Sequence, residues 1–207
     1  KLSGSAIQLT DTANTSETGS AWYAVPVNVA GFTTTFTLSL TSASANGLCF
    51  AIQNPVPIGS EIAGSQYTAG VTLALGGGIN ALGYSATGLG FQGFYAGLCV
   101  KFDIYGASGG ANLTNVFSGP GQPGGSSGIS VSPVTLGLNN PLTVTLTYDN
   151  SAHTLAESVT DSASNTFTHT YTSVDIPSIV GGDTAYVGFT GGTGGATAVQ
   201  QVTSWTM

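Results

Sequence analysis

Apolar and hydroxyl side chains alternate along most of this chain. In "FTTTFTLSLT" (32–41) Phe32, Phe36, Leu38 and Leu40 are separated by Thr and Ser. In "LTVTLTY" (142–148) Leu142, Val144, Leu146 and Tyr148 alternate with Thr, and "TFTHTYT" (166–172) repeats the pattern with Phe167, His169 and Tyr171. A period of two sends successive side chains to opposite faces of an extended strand. These segments therefore predict half-buried strands with one apolar and one hydroxyl face. No segment carries a sustained helical period with caps. Gly, Asn and Pro break the strands at short intervals, as in "SANG", "GGGIN", "LNNP", "YDNS", "VGGD" and "TGGTGG". Many short strands with Gly-rich turns predict an all-β fold, an antiparallel β-sandwich of the jelly-roll kind. The Gly/Pro/Ser stretch 118–128 is read as a long loop, not a linker, because the strands on each side look alike. Residues 1–207 are thus expected to form a single domain.

Two segments echo each other: "NGLCFAIQ" (46–53) and "AGLCVKFD" (96–103). As strands, the first puts Leu48, Phe50 and Ile52 on one face and Cys49, Ala51 and Gln53 on the other. The second puts Leu98, Val100 and Phe102 on its apolar face and Cys99, Lys101 and Asp103 opposite. Both cysteines fall on the less apolar face, so neighbouring strands would let the sulfurs meet. A disulfide would close a loop of about 50 residues, worth about 4 kcal/mol in the chain-entropy model. The alternative is two inert buried thiols.

Composition narrows the function. Charged residues are 5% of the 207, against about 25% in an ordinary domain, while hydrophobic residues are 41%. The only basic side chains are Lys1 and Lys101, and the net charge is −7. No basic stripe exists for nucleic acid, and anionic membrane surfaces are disfavoured. No apolar run is long enough to span a bilayer. The opening "KLSGSAIQLT" lacks a signal-peptide pattern, and the Thr/Ser/Gly-rich, Lys-poor composition leans extracellular, so a mature secreted or cell-surface form is expected. Asn14 and Asn112 head glycosylation sequons.

Five segments in order resemble the legume-lectin-like (L-type lectin) domain of the concanavalin-like jelly-roll class, in its bacterial secreted form. They are "AIQLTDTANTSETGSAWYAVPVNV" (6–29), "GFTTTFTLSLTSASANGLCFAIQN" (31–54), "LGYSATGLGFQGFYAGLCVKFDIYG" (82–106), "LTVTLTYDNSAHTL" (142–155) and "AYVGFTGGTGGATAVQQVTSWTM" (185–207). The resemblance implies two stacked antiparallel sheets, with the N-terminal segment paired to the C-terminal strand and sugar bound in loops above one sheet. The family's sugar-gripping Asp falls on Asn46, a neutral amide that both donates and accepts. Backbone donors are expected around Gly93 and Gly192, and a stacking ring at Tyr105 or Phe117, each ring having simple packing as its alternative. In metal-binding members a Glu-x-Asp holds a manganese/calcium pair. Here the Asp falls on Asp103 but the Glu falls on Lys101, and "IYGASGGANLTNVFSG" (104–119) brings no further acid or His. No metal and no cofactor are therefore expected, with Lys101 neutralising Asp103 in the metal's place.

Chemistry for catalysis is missing. No Glu-x-Asp-type carboxylate cluster or Gly-x-Ser-x-Gly elbow occurs. Glu157 and Asp161 are read as a solvated hairpin arm, and His153 and His169 as structural. Two non-enzymatic functions remain: a lectin-like module for adhesion or glycan binding, and a structural subunit of an extracellular filament or surface layer, whose partners are copies of itself. The second rests on the hydroxyl-rich strand faces, which lack the charge that guards natural sheets.

Overall fold

The computed structural model describes residues 1–42, 44–55, 78–105, 112–125, 127–138 and 140–207. Its strands open with β1 (Leu2–Ser3), β2 (Ala6–Thr10), β3 (Thr18–Trp22) and β4 (Val27–Asn28). Next come β5 (Gly31–Thr41), β6 (Gly47–Gln53), β7 (Gly97–Asp103), β8 (Leu113–Ser118) and β9 (Ile129–Ser130). The chain closes with β10 (Leu142–Asp149), β11 (Thr154–Thr160), β12 (Thr166–Thr172), a short helix α1 (Ile176–Val180), β13 (Thr184–Gly192) and β14 (Val199–Thr206). The first sheet has the order β1-β2-β14-β5-β10-β11-β12. The second runs β3-β13-β6-β7-β8-β9, with β4 also paired to β13. Every pairing is antiparallel, as the alternating pattern predicts. The N-terminal segment does pair with the C-terminal strand, Ile7 lying opposite Val202.

The apolar faces meet between the sheets. Phe36, Leu38, Val144 and Leu146 of the first pack with Phe50, Val100, Phe102 and Phe189 of the second. The Phe36 and Phe50 rings stack at 5.5 Å. One departure from the sequence pattern matters for function: β6 and β7 are buried on both faces. Their second face, with Cys49, Ala51 and Cys99, is covered by Ala81, Leu89, Phe91 and Phe94. These come from the Gly-rich segment 78–96, which folds over the second sheet as an apolar lid. Because the cysteines lie inside this second core, their bond is fully buried.

The short helix also departs from the expectation of no helix. Asp175 Oδ1 accepts the Ser178 N–H, Pro177 sits in the first turn, and Gly181 closes the helix with φ +79°. Five residues are too few to show a period.

Candidate functional site

The ends of β6, β7 and β13 converge at Gly47, which lies opposite both Asp103 and Gly192. Gly47 has φ +136°, and a Cβ there would collide with the Phe102 carbonyl. That close approach carries Asn46 against the end of β7, where its carbonyl accepts the Ile104 N–H at 2.9 Å. A cleft of about 310 Å³ opens here, lined by Asn46, Ala86, Tyr105, Gly194 and Gly195 among others. Asn46 is 6% exposed and lines this cleft, and its side-chain amide is not among the described polar atoms sealed from solvent without a partner. A Cβ at Gly194 would sit 2.9 Å from Asn46 Oδ1, so the glycine keeps room over the amide. Tyr105 is 45% exposed and presents its ring beside it.

Gly93 lies away from this cleft, and Gly192 lies beside it, opposite Gly47. The Gly93 N–H is spent on the Pro120 carbonyl at 3.0 Å, and the Gly192 carbonyl accepts from Gln200 Nε2. The glycines that line the cleft, Gly194 and Gly195, follow Gly192 in the same turn. Phe117 is partly buried and meets Phe91 edge-on at 6.5 Å in the second core, so it is a packing residue. Asn112 is engaged through both ends of its amide, to the Val134 carbonyl and the Leu136 N–H, whereas Asn14 is exposed.

Cys49 and Cys99 form a disulfide with a Cα–Cα distance of 5.4 Å. Their strands are neighbours, but the pair is diagonal: Cys49 lies opposite Lys101, and Cys99 opposite Ala51.

Lys101 and Asp103 are both buried, with Nζ 3.4 Å from Asp103 Oδ2. The ammonium also donates to the Ser127 carbonyl and reaches that of Gly125 at 3.5 Å. Asp103 Oδ2 accepts the Gly125 N–H at 2.8 Å, and Oδ1 accepts the Tyr105 N–H at 3.1 Å. Burial pushes the Lys101 pKa down and that of Asp103 up, and the opposite charge pulls each back. A manganese/calcium pair does not fit these groups. Both Asp103 oxygens already accept from N–H donors, and a cation stands where the second carboxylate would be. Among the described residues no three His, Cys, Asp or Glu converge. Residues 106–111, part of the stretch where the resemblance implies further ligands, lie outside the described residues.

Glu157 corrects the sequence reading. It is no solvated arm but 2% exposed, turned between the sheets. It accepts from Thr114 Oγ1 at 2.9 Å and from the Tyr171 hydroxyl at 2.8 Å, so it joins β11 and β12 to β8 of the other sheet. Burial raises its pKa to about 7. Asp161 is buried in the following turn, where it caps the Ala163 and Asn165 amides. Sequence parity carried the signal: Glu157 shares a face with Leu155 and Val159. His169 packs on Tyr171 with centroids 4.7 Å apart, and His153 lies 3.8 Å from Asp175.

A larger cleft of about 430 Å³ lies toward the other end of β13, around Tyr23, Phe32, Val187 and Trp205. There Trp205 Nε1 donates to Thr34 Oγ1, and Asn28 Oδ1 accepts the Ala30 N–H.

The same arrangement of sheets occurs in solved proteins. Basic winged bean lectin, solved with Tn-antigen, superposes with a TM-score of 0.74 at 21% identity, over 99% of this chain and 87% of that one. The fold is that of the legume lectins. A Bauhinia forficata lectin in complex with GalNAc gives 0.71 at 19% identity, over 98% of this chain and 86% of that one. Arcelin-5, a lectin-like defense protein from Phaseolus vulgaris, gives 0.67 at 20% identity, over 99% and 87%. No family model matches the chain, and no curated protein does. At these identities the likeness carries the fold, so function rests on the site.

Proposed function

We propose that this chain is a non-catalytic, lectin-like module of the extracellular space that binds a neutral glycan in the Asn46 cleft. Asn46 is the observation that carries the reading. Its side-chain amide lines a cleft that also has the half-exposed Tyr105 on its wall, and no described contact commits its donor or its acceptor elsewhere. The amide supplies a donor and an acceptor to sugar hydroxyls, and the Tyr105 ring supplies an apolar face to the pyranose C–H groups. Among the described residues no charged side chain lines the cleft, which favours a neutral sugar. Glu157 is walled between the sheets, Asp103 is committed to Lys101, and among the described residues no carboxylate lines this cleft, which supports a non-catalytic reading. Both sheets draw strands from both halves of the chain, which supports one domain over 1–207. A glycan array probed with the wild type, Asn46→Ala and Tyr105→Ala tests the proposal. Binding that both substitutions abolish supports it. Absence of binding to any neutral glycan at high protein concentration ends it.

A second reading, a structural subunit of an extracellular filament or layer, is favoured by the outer face of the first sheet. Thr35, Thr145, Ser158 and Thr168 lie in one row across four strands, with Thr37, Thr143, Thr160 and Thr166 in the next. Neither row carries a charge, and edge strand β12 has no Lys or Glu to guard it. Negative-stain microscopy and mass measurement of native material decide; a strictly monomeric protein sinks this reading.

A further inference from the structure

We infer that the buried Lys101–Asp103 pair orders the walls of the Asn46 cleft, so that ligand binding there needs the Lys101 charge and no divalent metal. The inference deepens the glycan-binding proposal and rests on it for the ligand alone. The pair is a junction. Asp103 Oδ1 holds the backbone of Tyr105, one wall of the cleft. Asp103 Oδ2 and Lys101 Nζ together hold Gly125 through its N–H and its carbonyl, and Nζ holds Ser127 as well. Gly124, the next residue along, donates its N–H to the Thr87 carbonyl at 2.8 Å. Thr87 adjoins Ala86, another wall of the cleft, whose own N–H is fixed to the Thr193 carbonyl at 3.0 Å. The loop packs tightly against the lysine stem: a Cβ at Gly128 would lie 3.4 Å from Lys101 Cε and 2.9 Å from the Thr114 carbonyl. Three ammonium donors meet three oxygen acceptors, and both carboxylate oxygens are satisfied. The junction is thus complete without a further ion. Removing one partner leaves the other buried and unpaired, which loosens the segments it holds.

The test uses the full chain and two kinds of readout. Hydrogen exchange is followed at the Tyr105, Gly124 and Gly125 amides in the wild type, Lys101→Met and Lys101→Arg. Loss of the charge is expected to speed exchange there about tenfold or more. The central β6–β13 amides stay protected, and arginine restores part of the protection. Wild-type melting is measured with EDTA and with added calcium or manganese, and is expected not to move. If Lys101→Met does not fold, Asp103→Asn is read in its place. Unchanged exchange in both charge-removing variants overturns the inference. So does a melting point that falls in EDTA, or a stoichiometric bound metal by elemental analysis. These readouts need no glycan, so a silent array would defeat the glycan proposal while leaving the loop-ordering role decided separately. If a glycan is found, its affinity is expected to persist in EDTA and to fall at least tenfold in Lys101→Met.

Discussion

Replacing Glu157 by Gln should make this protein more stable at alkaline pH, which is an unusual outcome for a core substitution. Among the described residues Glu157 has no Lys beside it, only two hydroxyl donors, with His169 opposite it in register on β12. Burial raises its pKa from 4.5 to about 7. A carboxyl with a raised folded pKa binds its proton more tightly in the fold than in the unfolded chain. Its contribution is therefore complete below about pH 4.5 and is lost as pH climbs through about 7. A shift of about two and a half units corresponds to about 3 kcal/mol. Glutamine keeps the shape. Its carbonyl accepts from Tyr171, its amide donates to Thr114, and it never ionises. Urea unfolding of both proteins from pH 4.5 to 8.5, followed by Trp fluorescence, gives the two stability curves. They are expected to meet at the acid end and to diverge by about 3 kcal/mol at pH 8, Gln above Glu. Curves that run parallel across the range would refute the reasoning, because the carboxyl would then carry no proton linkage.

Removing the disulfide through Cys49→Ala with Cys99→Ala should cost about 4 kcal/mol, read as a lower denaturant midpoint; equal midpoints with and without the bond would contradict it. Gly47→Ala should destabilise the fold by more than about 1 kcal/mol and lower its melting temperature, since both the positive φ and the Phe102 carbonyl oppose a Cβ.

Much of the fold was legible in the sequence. The period of two in 32–41, 142–148 and 166–172 marks β5, β10 and β12, and the echoed Gly-Leu-Cys segments are neighbouring strands β6 and β7. Their two-sided burial was not legible. The lid that covers them is a Gly-rich stretch without period, and Phe91 and Phe94 belong to no element that patterning detects. At the site, the shared face of Lys101 and Asp103 followed from strand parity, whereas Asn46 and Tyr105 were pointed to only by the resemblance. Of the Gly-rich turns, the one after Gly192 reaches the cleft through Gly194 and Gly195 while that of Gly93 does not, because the path of a loop decides which glycines line it. Glu157 carried the right parity, but its partners Thr114 and Tyr171 come from other strands, so the environment that buries it was invisible to local reading.

The scarcity of lysine leaves the folded chain with a built-in clock. Trypsin cuts after Lys and Arg, and apart from the bond after Lys1, which removes one residue, this sequence offers it a single bond, after Lys101 in the middle of β7, where the side chain is 1% exposed. That bond becomes available only when the centre of the second sheet opens. Cleavage there yields two pieces, 1–101 and 102–207, and the disulfide lies wholly within the first, so they separate. The rate at which the two pieces appear is thus a single-site measure of how often the sandwich opens, without a label or a probe.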